Sequence, residues 1–260
     1  MDRSSPLRLA LGHLAPELGQ REANTHRVSR LLERAAEAGA RWVLTPELVL
    51  TGYDFLPSIG SGWIRPAEED PWVAELGARA QHLGLILLLS HPVREPDGAC
   101  FNAVIALGEG RPRVVHRKLS PLPGVEGWSA RGASARPTLL DGVSVGVIVC
   151  ADAWRPEPCA ELARAGARMI LSPAAWPPEP HGPEGCWARR ARETGVPLLI
   201  SNRFGREPEL DFVNASTGVY DQGRPVFEHS ASEQGLVLVD WEPHSGRPIR
   251  ADFLSLDATR

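Results

Sequence analysis

A chain of 260 residues, 43% hydrophobic and 23% charged, can bury a sizeable core as one large domain or two small ones. Its net charge of -4 exerts no general pull toward nucleic acid or an anionic membrane, and its apolar runs, the longest around Leu83 to Leu89, are too short to span a bilayer. Four cysteines without a CxxC spacing make no disulfide scaffold, and Met1 to Pro6 lack the apolar core of a secretory leader, so a reducing cytoplasm is the simplest setting.

In chain order, Leu7 to His13 reads as a first strand bounded by prolines. Val28, Leu31, Leu32, Ala35 and Ala38 then fall at helical spacing, predicting a helix over 21–38 that Gly39 ends. Arg41 to Pro46 is a second strand that runs into Glu47, a carboxylate placed either as an acid or base at a sheet edge or as a first-turn glutamate favoured by a helix dipole. Thr51 to Pro66, rich in Gly, Pro, Ser and aromatics, is an ordered loop. A helix over 68–83 and strands at 85–91, 102–107 and 114–116 follow. The last of these strands delivers Arg117 and Lys118, and Glu126 and Trp128 lie in the loop beyond.

Of 28 basic residues, Lys118 is the only lysine. A chain that uses arginine wherever any surface cation serves places its one lysine where a compact ammonium is needed, unless it is a survivor of codon bias. Val143 to Val149 is apolar without polar alternation, as in a strand buried on both faces, and Cys150 stands at its end. The segment Arg155-Pro156-Glu157 opens a helix over 156–165 with proline in its first turn. A cysteine at such a switch is either a small core residue or a sulfur at the carboxyl edge of a sheet, with the Ala151 N–H beside it.

A strand at 168–172, a proline-rich loop around Trp176, a helix over 183–194 and a strand at 196–201 continue the α/β pattern. The tail alternates strands (215–220, 225–227 and 236–239) with turns and closes in an extended arm from Pro248 to Leu254. There is no internal repeat or linker, so residues 1–260 read as one α/β domain. No P-loop, HExxH, CxxC or GxGxxG pattern occurs, and the histidines show no metal-ligand spacing, so neither a metal nor a cofactor is expected.

Glu47, Lys118 and Cys150 thus end three strands. Chemically they form a set: a nucleophilic thiol, a carboxylate base, and a cation for an oxyanion that also favours the thiolate. The segments TPELVLTGY, HRKLSP and VIVCADAWRPE around them resemble the three signatures of the nitrilase, or carbon–nitrogen hydrolase, superfamily, and flanks such as LARAGARMILSPAAWP and RARETGVPLLISNRFG extend the likeness in register over nearly the whole chain.

The resemblance implies a four-layer α-β-β-α sandwich that hydrolyses a nonpeptide carbon–nitrogen bond without metal or cofactor. It implies Cys150 as nucleophile, Glu47 as general base, Lys118 as oxyanion cation and Glu126 as a second glutamate. It also implies a homodimer or higher oligomer. The triad does not choose between carboxamide, N-carbamoyl and nitrile substrates; an amidase releasing ammonia is the common case, and a silent scaffold is the non-enzyme alternative. Tyr53, Ala151, Trp154, Trp176, Asn202 and Phe204 are candidates to line the substrate site, and Arg155 and Arg203 to hold a substrate carboxylate. Two departures border the pocket: Leu119-Ser120-Pro121 follows the lysine, where the family commonly has a histidine, and Arg155 stands where an aromatic is usual. Asp152 and Glu157 match the motif and are expected to hold the turn and the helix start.

Overall fold

Strands that are apolar on both faces need cover on both sides, and this chain provides it for two sheets. The structure, a computed structural model, describes residues 6–178, 183 and 185–257. The first half runs β1 (Leu7–His13), α1 (Arg21–Glu37), β2 (Trp42–Leu44), α2 (Leu56–Ile59), α3 (Pro71–His82), β3 (Ile86–Arg94), β4 (Cys100–Leu107) and β5 (Arg113–Arg117). The second half begins β6 (Thr138–Leu140), β7 (Val143–Val147), a 3-10 turn (Cys150–Trp154), α4 (Pro156–Arg164), β8 (Met169–Ala174), α5 (Cys186–Thr194) and β9 (Leu198–Asn202). It continues through β10 (Arg206–Glu207), β11 (Leu210–Asp211), β12 (Thr217–Asp221), β13 (Arg224–His229), β14 (Gly235–Glu242) and β15 (Arg247–Ser255).

One sheet has the order β15-β14-β1-β2-β3-β4-β5 and the other β13-β12-β9-β8-β7-β6; β10 and β11 pair by themselves. Period-two alternation assigns each strand's side chains to a layer. Leu9, Leu11, Trp42, Leu44, Ile86, Leu88 and Val104 meet Val145, Val147, Ile170, Leu198 and Ile200 between the sheets. The alternate residues Ala10, Val43, Leu87, Leu89 and Ile105 pack outward on Val28, Leu31, Leu32 and Ala35 of α1 and on Val73 and Leu76 of α3. On the far side, Leu162 of α4 and Trp187 and Ala191 of α5 join the core against the second sheet. The result is the four-layer α-β-β-α sandwich. Among the described residues no helix is long and apolar enough to cross a membrane.

The predicted elements occur with shifted ends. The helix expected from residue 68 begins at Pro71, because the Asp70 carboxylate caps it, accepting from Trp72 N–H at 2.9 Å. The helix expected from residue 183 begins at Cys186. The segment 1–5, read above for a leader, and residue 184 lie outside the described residues. The tail is a correction: Pro248 to Leu254 is no free arm but part of β15, paired antiparallel with β14 along its length at the edge of the seven-stranded sheet. Its Ala251 and Phe253 pack on the intersheet core, which accounts for their alternation.

The parallel strands β1, β2 and β3 of one sheet and β7, β8 and β9 of the other bring their carboxyl ends to one edge. There Glu47 N–H bridges the sheets by donating to Ala174 O at 3.2 Å. The segment after β5 is tied down where Gly132 N–H donates to Lys118 O at 2.8 Å, and a Cβ at Gly132 would lie 2.1 Å from Arg117 O. Gly132→Ala must therefore push backbone away from backbone beside Lys118. The expected result is a loss of about 1–3 kcal/mol in urea unfolding with a fall in activity, whereas Gly39→Ala, strained by its positive φ but with open space around it, should cost stability only.

Candidate active site

Three chain segments from one sheet and two from the other converge at this edge. After β2 the chain does not start a helix: Thr51 N–H and Gly52 N–H both return to Leu48 O, at 3.1 and 3.0 Å, closing a single turn with Leu48 at φ 49°. This turn carries the Glu47 carboxylate inward, so no helix dipole explains that residue. Ser90 of β3 holds the turn, its Oγ accepting from Leu48 N–H at 3.1 Å.

Lys118 leaves β5 fully buried and donates to Glu47 Oε1 at 2.7 Å and to Glu126 Oε2 at 2.6 Å. An ammonium has three N–H donors, so one remains for another acceptor. Tyr53 OH and Leu122 N–H also donate to Glu126 Oε2, both at 2.9 Å. Ala175, just beyond β8, donates its N–H to Glu47 Oε2 at 3.0 Å.

Cys150 opens the turn after β7 with φ 47°, a left-handed conformation rare outside glycine, and its thiol hydrogen-bonds the Glu47 carboxylate. One carboxylate holds that turn. Asp152 Oδ1 accepts from Leu119 N–H at 2.9 Å and Ser120 N–H at 2.8 Å; its Oδ2 accepts from Val149 N–H at 3.0 Å and faces His116 Nε2 at 2.9 Å. It thereby staples the cysteine turn to the segment that carries Lys118.

Burial pushes the Glu47 carboxyl above the ordinary carboxylate range, against the pull of Lys118. For Lys118, burial opposes the charge, but Glu47, Tyr53 and Glu126 outweigh it and hold the ammonium well above the usual lysine value. Burial, helped by the charge of Glu47, also holds the Cys150 thiol well above its usual value. The expectation that Lys118 favours a standing thiolate is corrected here: its attraction is real but smaller than these two effects, so the resting sulfur carries its proton.

The remaining candidates divide. Tyr53 and Ala151 are buried, the first in the carboxylate network and the second in the cysteine turn. Trp176 is buried just past Ala175 and meets the half-exposed Trp154 edge-on at 5.2 Å. Asn202 spends its amide on the Trp176 backbone, accepting from its N–H and donating to its C=O, both at 2.9 Å, and so positions that loop. The two arginines do not join the cluster. Arg155 is exposed and pairs with Glu157 at the start of α4. Arg203 is fully buried, paired with Glu207 and lying 4.4 Å over the Phe212 ring. Phe204 stacks on His13 at 4.7 Å.

Asn102 was not singled out by the sequence, yet its Nδ2 donates to Glu47 Oε1 at 2.8 Å and to Glu126 Oε1 at 2.7 Å. It enters at the start of β4, an antiparallel strand, so a search of strand ends passes over it. The cue available was a polar residue two places before the inward-facing Val104 of an otherwise apolar strand.

The carbon-nitrogen hydrolase family model matches residues 8–251. Glutamine-dependent NAD(+) synthetase of Rhodobacter capsulatus is 30% identical over 95% of this chain and 46% of its own length. Citrullinase of Francisella tularensis is 29% identical over 81% of this chain and 77% of its own length. The chain spans about half the length of the NAD(+) synthetases it matches. Among solved structures, a nitrilase-superfamily amidase of Nesterenkonia AN1 superposes with a TM-score of 0.77 at 24% identity, over 94% of this chain and 95% of that one. The NAD+ synthetase of Acinetobacter baumannii gives 0.78 at 16%, over 98% and 48%. Fold and family together define an α-β-β-α sandwich enzyme that acts on carbon–nitrogen bonds. The chain belongs to the carbon-nitrogen hydrolase family.

Asp152→Asn keeps the shape but sets an NH2 group against N–H donors on one side of the staple. The expected loss is about 2–4 kcal/mol in urea unfolding. Alkylation of Cys150 by iodoacetamide, followed by intact mass, should slow at least tenfold. Unchanged values of both would show that the staple does not matter.

Proposed function

We propose that the protein hydrolyses a small carboxamide through a Cys150 thioester, releasing ammonia and a carboxylate. The observation that carries this reading is the Glu47 carboxylate, which meets the Cys150 thiol, the Lys118 ammonium and the Ala175 N–H together in a site closed to bulk water.

Glu47 takes the thiol proton as sulfur attacks the carbonyl carbon, so a carbon–sulfur bond forms while the carbonyl electrons move to oxygen. The free N–H of Lys118 and the Ala151 N–H stabilise that oxyanion. Its collapse breaks the carbon–nitrogen bond, and Glu47 gives its proton to the leaving nitrogen. Water then attacks the thioester, Glu47 takes its proton, and collapse of the second tetrahedral species frees the acid and returns the proton to sulfur. Glu126 keeps Lys118 oriented and lies against Tyr53 at the site wall.

Two relatives bear on the substrate: NAD(+) synthetases are described as glutamine-dependent, which favours a primary carboxamide, and citrullinase keeps an N-carbamoyl substrate as the second reading. Because Arg155 and Arg203 are both committed elsewhere, a substrate carboxylate has no arginine among the residues named here. Retention of Glu47, Lys118 and Cys150 argues against a silent scaffold. The family resemblance adds a homo-oligomer in the cytoplasm to this reading; with β15 held in its own sheet, helix surfaces rather than a free arm would carry the assembly.

A panel of simple carboxamides, L-glutamine, L-citrulline and nitriles separates the classes by ammonia and carbon dioxide release. Cys150→Ala should abolish turnover, and Glu47→Gln should lower kcat by about 10²–10⁴-fold. Fluoroacetamide, whose acetamide moiety adds to the active-site cysteine of the Nesterenkonia amidase, should add to Cys150. Absence of turnover and of any Cys150 adduct in folded protein would sink the reading. Glu47 works only when ionised, and its pKa is raised, so kcat/KM should fall as pH drops through a value above the ordinary carboxylate range. A profile flat down to pH 4 would contradict that assignment.

A further inference from the structure

We infer that Asn102 is a positioning residue of the catalytic site, whose amide lets two carboxylates share one buried ammonium and keeps Glu47 in its proton-accepting form. The inference rests on the proposed role of Glu47 as base for Cys150.

The first ground is charge. Glu47, Glu126 and Lys118 are all buried, and two carboxylates face a single cation. Like charges at this range repel strongly where water is absent, so donors must make up what Lys118 alone does not neutralise. Asn102 is the side chain that donates to both at once, at 2.8 Å to Glu47 and 2.7 Å to Glu126. Its backbone is pinned on both sides: its N–H donates to Ser129 Oγ at 2.9 Å, and its C=O accepts from Lys118 N–H at 2.8 Å. The amide therefore sits on the same peptide pair that sets the lysine.

The second ground is what the amide gives up. Asn24 and Asn202, the other two buried asparagines among the described residues, use both ends of their side chains: Asn24 accepts from Glu17 N–H and donates to Glu17 and Leu50 carbonyls, and Asn202 closes both bonds with Trp176. Asn102 spends both hydrogens on carboxylates and leaves its Oδ1 buried without a partner. A buried carbonyl without a donor is costly, and a purely structural asparagine is placed to avoid it. Flipping the amide would set Oδ1 against two carboxylates, so the orientation is fixed by them.

The titratable groups that face Glu47 are Lys118 after β5, Glu126 and Tyr53 from their loops, and Cys150 from the turn after β7. Removing the Asn102 donors leaves all four in place and takes away hydrogen bonds that favour the ionised carboxylate. The Glu47 carboxyl then titrates at higher pH, and a reaction that needs it ionised loses its acid side first.

The test measures iodoacetamide alkylation of Cys150 by intact mass from pH 4.5 to 9, in wild type, Glu47→Gln, Asn102→Leu and Asn102→Ser. Leucine keeps the size and removes both donors; serine restores one in a smaller side chain and serves if the leucine variant does not fold. The acid limb of the rate should move up by about one pH unit in Asn102→Leu and by less in Asn102→Ser, with the alkaline plateau largely kept. A purely structural role would lower the melting temperature and the whole profile without moving the limb, and that result overturns the inference. A Glu47→Gln profile identical to wild type overturns the base assignment itself, and with it this inference.

Discussion

An ammonium sealed from water is stable only if anions and dipoles stand where its hydration shell would be. In this protein that requirement gathers the carboxyl edge of two sheets around Lys118. Meeting it with two carboxylates creates a second demand, since they repel each other and need donors of their own. Ala175, Leu122, Tyr53 and Asn102 supply these from the far sheet, two loops and an antiparallel strand. The sandwich and the site are therefore one construction: separating the sheets would strip Ala175 from Glu47, and loosening β5 would leave two buried negative charges unpaired.

The loops around this cluster are held by polar contacts too. Glu207 accepts from Tyr53 N–H at 2.8 Å and Asp54 N–H at 2.9 Å, while Arg203 from the end of β9 pairs with it. Asn202 fixes the Trp176 loop in the same way. Such groups hold the backbone around the site and need not touch a substrate. They hold it before any substrate arrives, so little ordering is left to be done on binding.

Much of this was legible in the sequence. Apolar runs without alternation announced strands covered on both faces, and the strand-end positions of Glu47, Lys118 and Cys150 told which edge they share. The single lysine was informative because arginine is so freely used elsewhere. Glu126 is the carboxylate of its loop that reaches Lys118. What was not legible depends on partners far apart in the chain. Arg203 looks like any other arginine until Glu207 and Phe212 are seen beside it, and the β15 arm looks free until β14 is beside it. The protonation of Cys150 was misjudged because burial is a tertiary quantity. Asn102 escaped because antiparallel pairing brings the start of a strand to the edge where the others end.

The left-handed backbone at Cys150 has a consequence for how this chain can change. A side chain in that region costs about 1–3 kcal/mol relative to a relaxed backbone, and glycine escapes most of it. At this position the substitution that removes the nucleophile by Cys150→Gly is also one that relieves the main chain. Selection for a hardier molecule alone would thus erode the chemistry first at its sulfur, and persistence of a cysteine there records selection for reactivity over robustness.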